Sequence, residues 1–189
     1  MIIFLGSNYN LYRDLINRSK PDADIVVSCQ YPFRIPESLI SSHACVNIHY
    51  GLLPYFAGCN PIYWQIKKSD VAGVTLHYVD KDFDTGDIIA TDSIPIGGMN
   101  ADEVFDALEV VGVELFRFYY KQILDGTAPR QKQDLTKRAY YPKTAVNFEY
   151  AKDLSGLNDK DVRALHFHGK QYPTIDVGGR KYELRSVNG

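Results

Sequence analysis

The sequence predicts an α/β fold with a mostly parallel sheet, and two observations carry that prediction. Residues 2–5 are apolar, residues 6–8 read Gly-Ser-Asn, and apolar residues then share one helical face over 11–19, which indicates a strand, a turn and a helix. Residues 24–28 form a continuous run rich in β-branched side chains, which is typical of a parallel strand covered on both faces. Strands and helices are therefore expected to alternate.

The elements that follow continue this alternation. Pro61 stands at a tolerated first-turn position of a short helix. Asn100 and Glu103 form a capping-box-like start for a long helix, which the residues Asp125 and Gly126 end. In chain order, the predicted elements are a helix at 37–41, a strand at 46–49, a helix at 60–68, strands at 73–79 and 88–96, and the long helix.

We expect residues 1–129 to form the main domain and residues 130–189, which are polar and rich in tyrosine, to extend it. The extension contains a predicted short helix at 161–167 and a β-hairpin with strands at 174–177 and 181–184. A lone two-stranded hairpin is marginally stable in water. It should therefore pack on the domain or on a second subunit, and the second arrangement would make a homodimer.

Composition limits the kinds of molecule that the protein is expected to bind. The chain has 189 residues, 21 basic and 23 acidic side chains and a formal net charge of -2, so it carries no broad electrostatic footprint for nucleic acid or a membrane surface. A small-molecule partner is expected. The three cysteines, Cys29, Cys45 and Cys59, match neither a disulfide framework nor a paired metal site. Because the apolar start is too short to span a bilayer, the chain is expected to be cytoplasmic.

Two polar side chains leave one buried strand side by side. The two-residue period of a strand puts Asn47 and His49 on the same face, and Pro54 follows where the strand has ended. Ligands of open α/β sheets lie beyond the carboxyl ends of the strands. The acidic loop 80–87 adds Asp84, a carboxylate from a separate segment that we expect near the pair.

These three groups suit an acyl transfer in which the attacking amine belongs to the substrate. The neutral amide of Asn47 can hydrogen-bond a developing oxyanion, and His49 can exchange protons near neutral pH. Asp84 can orient the imidazole and stabilise its protonated form. No serine or cysteine nucleophile is required, although an Asn-x-His pair alone is more often a structural feature of a strand.

Metal binding is the alternative interpretation of the polar residues. Alternate aspartates at 80, 82 and 84 resemble a calcium loop, but the sixth and twelfth positions are Thr85 and Thr91 instead of glycine and glutamate. His166 and His168 can share a strand face, yet no third ligand has a suitable spacing. The sequence therefore predicts no metal site.

Several motifs follow one another in a fixed order: Asn47-Ile48-His49, Leu52-Leu53-Pro54, Gly58, Gly73-Val74-Thr75-Leu76-His77 and Phe83-Asp84-Thr85-Gly86. Together they resemble the folate-dependent formyltransferases, which include glycinamide ribonucleotide formyltransferase, methionyl-tRNA formyltransferase and the sugar N-formyltransferases. The stretches Asn60-Pro61-Ile62-Tyr63-Trp64 and Asp84-Thr85-Gly86-Asp87 look most like the sugar branch.

The resemblance implies a shortened Rossmann-like fold that passes a formyl group from the co-substrate 10-formyltetrahydrofolate to a primary amine, most like that of a nucleotide-linked amino sugar. By position, Asn47 would stabilise the oxyanion, His49 would handle the proton, and Asp84 would tune His49 and help to order a water. The residues that would contact the folate are Phe33, Arg34, Ile35, His77, Asp80, Lys81 and Asp82.

Two departures from the family pattern leave alternatives open. Gly51 stands where the family often has serine, and few residues precede the strand at 24–28, where the family usually carries several βα units. One alternative is an enzyme like glycinamide ribonucleotide formyltransferase, suggested by the short chain and its Gly-Ser-Asn turn. Another is a trimmed relative that binds folate or a sugar nucleotide without chemistry. Formylation of methionyl-tRNA is less expected, because the tail is neither basic nor long.

Overall fold

The structure, a computed structural model, describes residues 2–6, 10–13, 25–146, 158–165, 174–177 and 180–183. Its strands are β1 (Ile2–Gly6), β2 (Ile25–Cys29), β3 (Ala44–His49), β4 (Ala57–Gly58), β5 (Val71–Tyr78), β6 (Ile88–Pro95), β7 (Tyr140–Tyr141), β8 (Thr174–Val177) and β9 (Arg180–Glu183). Five of them form one sheet in the order β1-β2-β3-β5-β6, and two further pairs, β4-β7 and β8-β9, lie outside it.

Four of the five strands in the central sheet point the same way, which confirms the predicted mostly parallel sheet. The pairs β1-β2 and β2-β3 are parallel, whereas β5 runs antiparallel to both of its neighbours, β3 and β6. All five residues of β2 are buried. The β-branched run is therefore in the sheet interior, where both of its faces are covered.

The helices are α1 (Glu37–Ser42), α2 (Pro61–Lys68), α3 (Ala101–Leu124) and α4 (Asp159–Leu165). Residues 10–13 are also helical. The predicted capping box at the start of α3 is present: the Asn100 side chain accepts from the Glu103 N–H, and the Glu103 carboxylate accepts from the Asn100 N–H. Among the described residues, no helix has the length and the apolar character needed to cross a bilayer.

The core lies between the sheet and α3. Val104, Leu108 and Phe116 of this helix are fully buried and belong to the same hydrophobic cluster as Ile48 of β3 and Leu76 of β5. Burying a side chain of this size contributes roughly 1.5–3 kcal/mol relative to leaving it exposed. The apolar face of α3 therefore holds β3 and β5 in place, and these two strands carry the polar residues of the site.

Residues 131–141 contact two earlier segments of the chain, the start of β6 and the strand β4. Gln131 makes a β-bridge with Ile88, and β7 pairs in parallel with β4. The N–H of Cys59 donates to the Tyr141 carbonyl at 2.7 Å, and the N–H of Ala57 donates to the Ala139 carbonyl at 3.0 Å. These main-chain bonds fix the segment beside the loop that follows β3.

Parts of the predicted pattern lie outside the described residues. They include Ser7 and Asn8 of the first turn, residues 14–19 of the predicted first helix, and the histidines His166 and His168. Within the described part, β8 and β9 pair antiparallel, with Val177 opposite Arg180. The second strand of the predicted hairpin begins one residue earlier than its periodicity indicates.

Candidate functional site

A cavity of about 470 Å³ lies beside the polar face of β3. Its walls come from β2, β3 and β5 and from the loops at 30–35, 58–62 and 79–84. All ten residues to which the sequence analysis gave a role line it: Phe33, Arg34, Ile35, Asn47, His49, His77, Asp80, Lys81, Asp82 and Asp84. Three parts of the chain, at 33–35, 47–49 and 77–84, therefore meet at one cavity.

Asn47 lies opposite His77 across the antiparallel pair of β3 and β5. The distance from Asn47 Nδ2 to His77 Nε2 is 3.2 Å, and that from His77 Nδ1 to the Tyr78 carbonyl oxygen is 2.8 Å. A carbonyl only accepts hydrogen bonds, so Nδ1 of His77 carries the proton and Nε2 accepts from the amide. This assignment fixes the orientation of the Asn47 carboxamide, with its nitrogen towards His77.

His49 has one ring nitrogen hydrogen-bonded to a main-chain carbonyl and the other beside a carboxylate. Its Nε2 lies 2.7 Å from the Phe56 carbonyl oxygen and therefore donates to it, which leaves the Nδ1 lone pair unprotonated in the neutral ring. Nδ1 faces Asp84, with 3.7 Å to Oδ1. The side that can take up a proton is thus the side next to a carboxylate.

Asp84 reaches the histidines from a turn in the acidic loop. Its backbone is left-handed, with φ of 56°. Its Oδ1 lies 3.7 Å from His77 Nε2 as well as from His49 Nδ1, and its Oδ2 accepts from the Gly58 N–H at 2.8 Å. Asp84 therefore lies close to both His49 and His77, and His77 links it to Asn47.

Both His77 and Asp84 have lowered pKa values, for different reasons. Burial lowers the pKa of His77 to about 4, even though the Asp84 carboxylate acts to raise it. Burial alone would raise the pKa of Asp84, but the imidazoles of His49 and His77 and the Gly58 N–H outweigh it, so the pKa lies below its usual range. At neutral pH His77 is neutral and Asp84 is a carboxylate.

The chain after β3 is held by two buried polar side chains. Gln65 of α2 is fully buried; its Oε1 accepts from the N–H groups of Leu52 (3.2 Å) and Gly73 (2.9 Å), and its Nε2 donates to the Tyr50 carbonyl (3.0 Å). Thr75 donates to the Gly51 carbonyl at 2.7 Å. The loop next to His49 is therefore fixed from α2 and from β5.

The glycine at position 51 is a consequence of this close packing. A Cβ there would lie 2.7 Å from His49 Nε2, 2.7 Å from the Phe56 oxygen and 2.8 Å from Pro61 Cβ. Contacts of this length are too short for real Cβ atoms. In this chain a serine at position 51 would therefore displace the catalytic candidate His49 or its carbonyl partner.

The loop that carries Asp84 is held by residues that sequence reasoning did not identify. Gln133 Nε2 donates to the carbonyls of Asp84 (3.1 Å) and Gly86 (2.7 Å), and Arg138 Nη2 donates to the Phe83 carbonyl (2.9 Å). Tyr140 and Lys143 of the same segment line the cavity. No periodic pattern marks residues 130–143, and so no signal in the sequence pointed to them.

Metal ligands do not assemble in the described part of the chain. No group of three or more histidine, cysteine, aspartate or glutamate side chains there has the geometry to hold an ion. Asp80 uses its Oδ1 to accept from the Asp82 N–H and the Thr85 hydroxyl, an internal turn arrangement. Cys29, Cys45 and Cys59 are free thiols.

Comparison with known proteins places the chain in a family. The family model described as formyl transferase matches residues 13–109 of the 189. The methionyl-tRNA formyltransferase of Acetivibrio thermocellus is 36% identical over 162 residues, covering 78% of this chain and 52% of that protein. That of Geobacter sulfurreducens is 35% identical over 133 residues, covering 68% and 41%. The chain thus spans about half the length of these curated relatives.

Solved structures share the whole fold. A candidate sugar N-formyltransferase from Mycobacterium tuberculosis superposes with a TM-score of 0.85 at 24% identity, covering 98% of this chain and 96% of that one. A 4-N formyltransferase from Francisella tularensis gives a TM-score of 0.74 at 25% identity, covering 96% and 78%. Because the family model matches more than half of its residues, this chain belongs to the formyl transferase family.

Proposed function

We propose that this protein transfers the formyl group of 10-formyltetrahydrofolate to a primary amine carried by a nucleotide-linked amino sugar. The observation that carries the proposal is the convergence of Asn47, His49 and Asp84 on one cavity, with Asp84 3.7 Å from His49 Nδ1. The arrangement supplies an amide donor, a proton acceptor and a carboxylate. It therefore suits an acyl transfer whose nucleophile comes from the substrate.

The reaction moves one acyl group and one proton. The amine nitrogen forms a bond to the formyl carbon, and the bond from that carbon to N10 of the folate breaks. The amine loses a proton and N10 gains one, so the products are a formamide and tetrahydrofolate. The protein has to stabilise the oxyanion formed between these two events and to carry the proton.

Asn47 is the oxyanion donor in this scheme. Its carboxamide has two N–H bonds; one is directed at His77 Nε2 (3.2 Å), which leaves the other available. Because the pKa of His77 is about 4, the ring stays neutral at neutral pH and Nε2 stays an acceptor. His77 therefore positions the amide without introducing a second positive charge. Removal of one oxyanion donor typically costs about 100- to 1000-fold in rate.

His49 accepts the amine proton at Nδ1. In the neutral ring, the bond from Nε2 to the Phe56 carbonyl selects the tautomer with an open Nδ1, and the Asp84 carboxylate stabilises the imidazolium that forms. The bond from the Gly58 N–H to Oδ2 prevents rotation of the Asp84 carboxylate. Its other oxygen, Oδ1, thus remains directed at both imidazoles.

The rest of the cavity suits a flat, partly polar co-substrate. Phe33 is 68% exposed and Phe83 is 48% exposed, so both present aromatic surface at the cavity rim, while Ile35 is buried. Polar side chains of Asp80 and Lys81 line the opposite loop. We assign the pteridine of the folate to this part of the cavity and the amine substrate to the part lined by Asn60, Tyr140 and Lys143.

Charge favours a small amine over transfer RNA. The net charge of -2 gives this chain no excess of positive charge, whereas tRNA binding depends on many phosphate contacts. Methionyl-tRNA remains the second candidate, because the relatives that are 36% and 35% identical formylate it by name. The stretches 60–64 and 84–87, which look most like the sugar branch, support the sugar.

The test is a formyl-transfer assay with a panel of amines: nucleotide-linked 3- and 4-amino sugars, glycinamide ribonucleotide and methionyl-tRNA. Tetrahydrofolate release and mass spectrometry of the product both report turnover. We expect His49→Ala and Asp84→Asn to lower kcat at least about 100-fold, while the exposed control Asp92→Asn keeps the wild-type rate.

Each negative result has a defined meaning. Turnover of no amine, together with folate binding by calorimetry, would replace formyl transfer with a binding function. Turnover that survives His49→Ala would remove the proposed proton acceptor. Exclusive turnover of methionyl-tRNA would overturn the amino-sugar assignment and keep the chemistry.

A further inference from the structure

The tautomer of His49 depends on a competition between two acceptors, one beside each ring nitrogen. Nε2 lies 2.7 Å from the Phe56 carbonyl oxygen, and Nδ1 lies 3.7 Å from Asp84 Oδ1. A carboxylate is the stronger kind of acceptor, because a hydrogen bond to an ionised group is about twice as strong as one between neutral groups. The shorter distance keeps the proton on Nε2, and a small retreat of the carbonyl would favour a proton on Nδ1.

The peptide unit between Phe56 and Ala57 is held from the segment 139–141. A trans peptide is planar, so its carbonyl and its N–H point in opposite directions. The carbonyl of this unit faces His49, and its N–H donates to the Ala139 carbonyl at 3.0 Å. A shift of the segment 139–141 would therefore displace the carbonyl that bonds His49.

Tyr141 anchors this segment through its ring. The ring is stacked on that of Trp64 in α2, with 4.3 Å between their centres and 19° between their planes. It also lies nearly parallel to the Phe56 ring, at 6.4 Å and 18°. Ring pairs at these separations stabilise a structure beyond the area that they bury. The Tyr141 carbonyl accepts from the Cys59 N–H at 2.7 Å, so both the ring and the main chain of Tyr141 hold the strand β4.

We propose that Tyr141 is a positioning residue for formyl transfer. By stacking on Trp64 it fixes the peptide after Phe56, which keeps the His49 proton on Nε2 and leaves Nδ1 open for the proton of the amine. Phe56, Trp64 and Tyr141 are not among the described residues that line the cavity, so Tyr141 acts through the main chain and not on a ligand. The kinetic part of the inference rests on the proposed function, whereas the tautomer of His49 can be observed without any reaction.

The experiment combines the nitrogen NMR spectrum of the His49 imidazole with kcat and KM. In Tyr141→Leu the proton should move from Nε2 towards Nδ1, and kcat should fall about 10- to 100-fold with little change in KM, because a misplaced reacting group lowers the rate of the chemical step. Trp64→Leu removes the ring on which Tyr141 stacks, so it should change both readouts in the same direction. Adding Asp84→Asn to Tyr141→Leu removes the charged competitor and should make the shift of the proton smaller.

Two variants serve as controls. Tyr141→Phe keeps the ring and the stacking, so it should retain the wild-type spectrum and kcat. Tyr119→Leu makes the same change of side chain elsewhere: Tyr119 packs against the core from α3, contacts the Phe118 ring edge to face and does not line the cavity. It should lower the melting temperature and leave the His49 spectrum unchanged.

An unchanged His49 spectrum in Tyr141→Leu overturns the proposal, whether or not kcat falls. So does a Tyr141→Phe variant as slow as Tyr141→Leu, since the hydroxyl and not the ring would then matter, or an equal spectral shift in Tyr119→Leu. If Tyr141→Leu does not fold, Trp64→Leu decides in the same way. If wild type turns over no amine, the proposed function fails, and the spectra still decide whether Tyr141 fixes the tautomer.

Discussion

Replacement of Gln65 tests most directly whether its hydrogen bonds fix the loop that follows β3 at the site. The side chain is fully buried and satisfies three main-chain groups, the N–H of Leu52, the N–H of Gly73 and the carbonyl of Tyr50. Gln65→Met keeps the length of the side chain and removes all three hydrogen bonds. Each buried group left without a partner costs about 1–3 kcal/mol, so we expect a loss of at least about 3 kcal/mol of unfolding free energy.

Gln65→Glu makes a sharper test because its cost depends on pH. The retained oxygen still accepts from Leu52 and Gly73, but the second oxygen replaces a donor that lies 3.0 Å from the Tyr50 carbonyl. Only the protonated acid can donate there, so the pKa of the introduced Glu is raised in the folded state. Stability is then retained below the unfolded pKa of about 4.3 and lost as pH rises towards the raised folded value.

The assay is urea denaturation of both variants and wild type at about pH 5 and pH 7.5, with free energies compared at the same pH. A shift of one unit is worth about 1.4 kcal/mol, so the extra cost of Gln65→Glu should grow by up to roughly 3 kcal/mol across this interval. Gln131→Glu, at an exposed position, is the matched control and should show no such growth. A cost of Gln65→Glu that is equal at both pH values, or a Gln65→Met variant as stable as wild type, would refute the reasoning.

Three further predictions concern the site itself. Because the pKa of His77 is lowered from 6.5 to about 4, wild type should lose stability as pH falls through that window, by roughly 3 kcal/mol in total, and urea titrations of His77→Gln should lack this slope. Gly58→Ala places a Cβ 2.3 Å from the Tyr141 carbonyl at φ of 95°, so it should separate β4 from β7 and lower both the melting temperature and kcat. Gly51→Ala should displace the His49 ring, with about a 100-fold loss of kcat and a changed imidazole nitrogen NMR spectrum; an unchanged spectrum would contradict this.

Most of the fold could be predicted because its signals are local. The β-branched run of β2, the capping box of α3 and the helical spacing of its buried residues each depend on neighbours within a few positions. The period of two along β3 likewise predicts that Asn47 and His49 share a face. The direction of β5 has no comparable local signal, because pairing with β3 depends on contacts between distant segments.

The polar side chains of the site could be predicted, but the groups that hold these side chains in place could not. The resemblance to a family singled out Asn47, His49 and Asp84, but the partners that fix them are main-chain groups and residues from 131–141. Almost every residue has a main-chain N–H and a carbonyl, so the sequence does not show that those of Gly58 and Phe56 have a role in the site. Their role appears only when the loop conformation is known.

The amino-acid sequence alone determined most of the segments that become strands and helices, that the chain is near neutral in charge, and which polar side chains lie on one face of β3. Only the tertiary structure decided that His77 stands opposite Asn47, that a left-handed turn brings Asp84 to both histidines, and that Tyr141 stacks on Trp64. The physical reason is that strand periodicity and helix capping act over a few residues, whereas register and loop closure are settled by packing between segments that are distant along the chain.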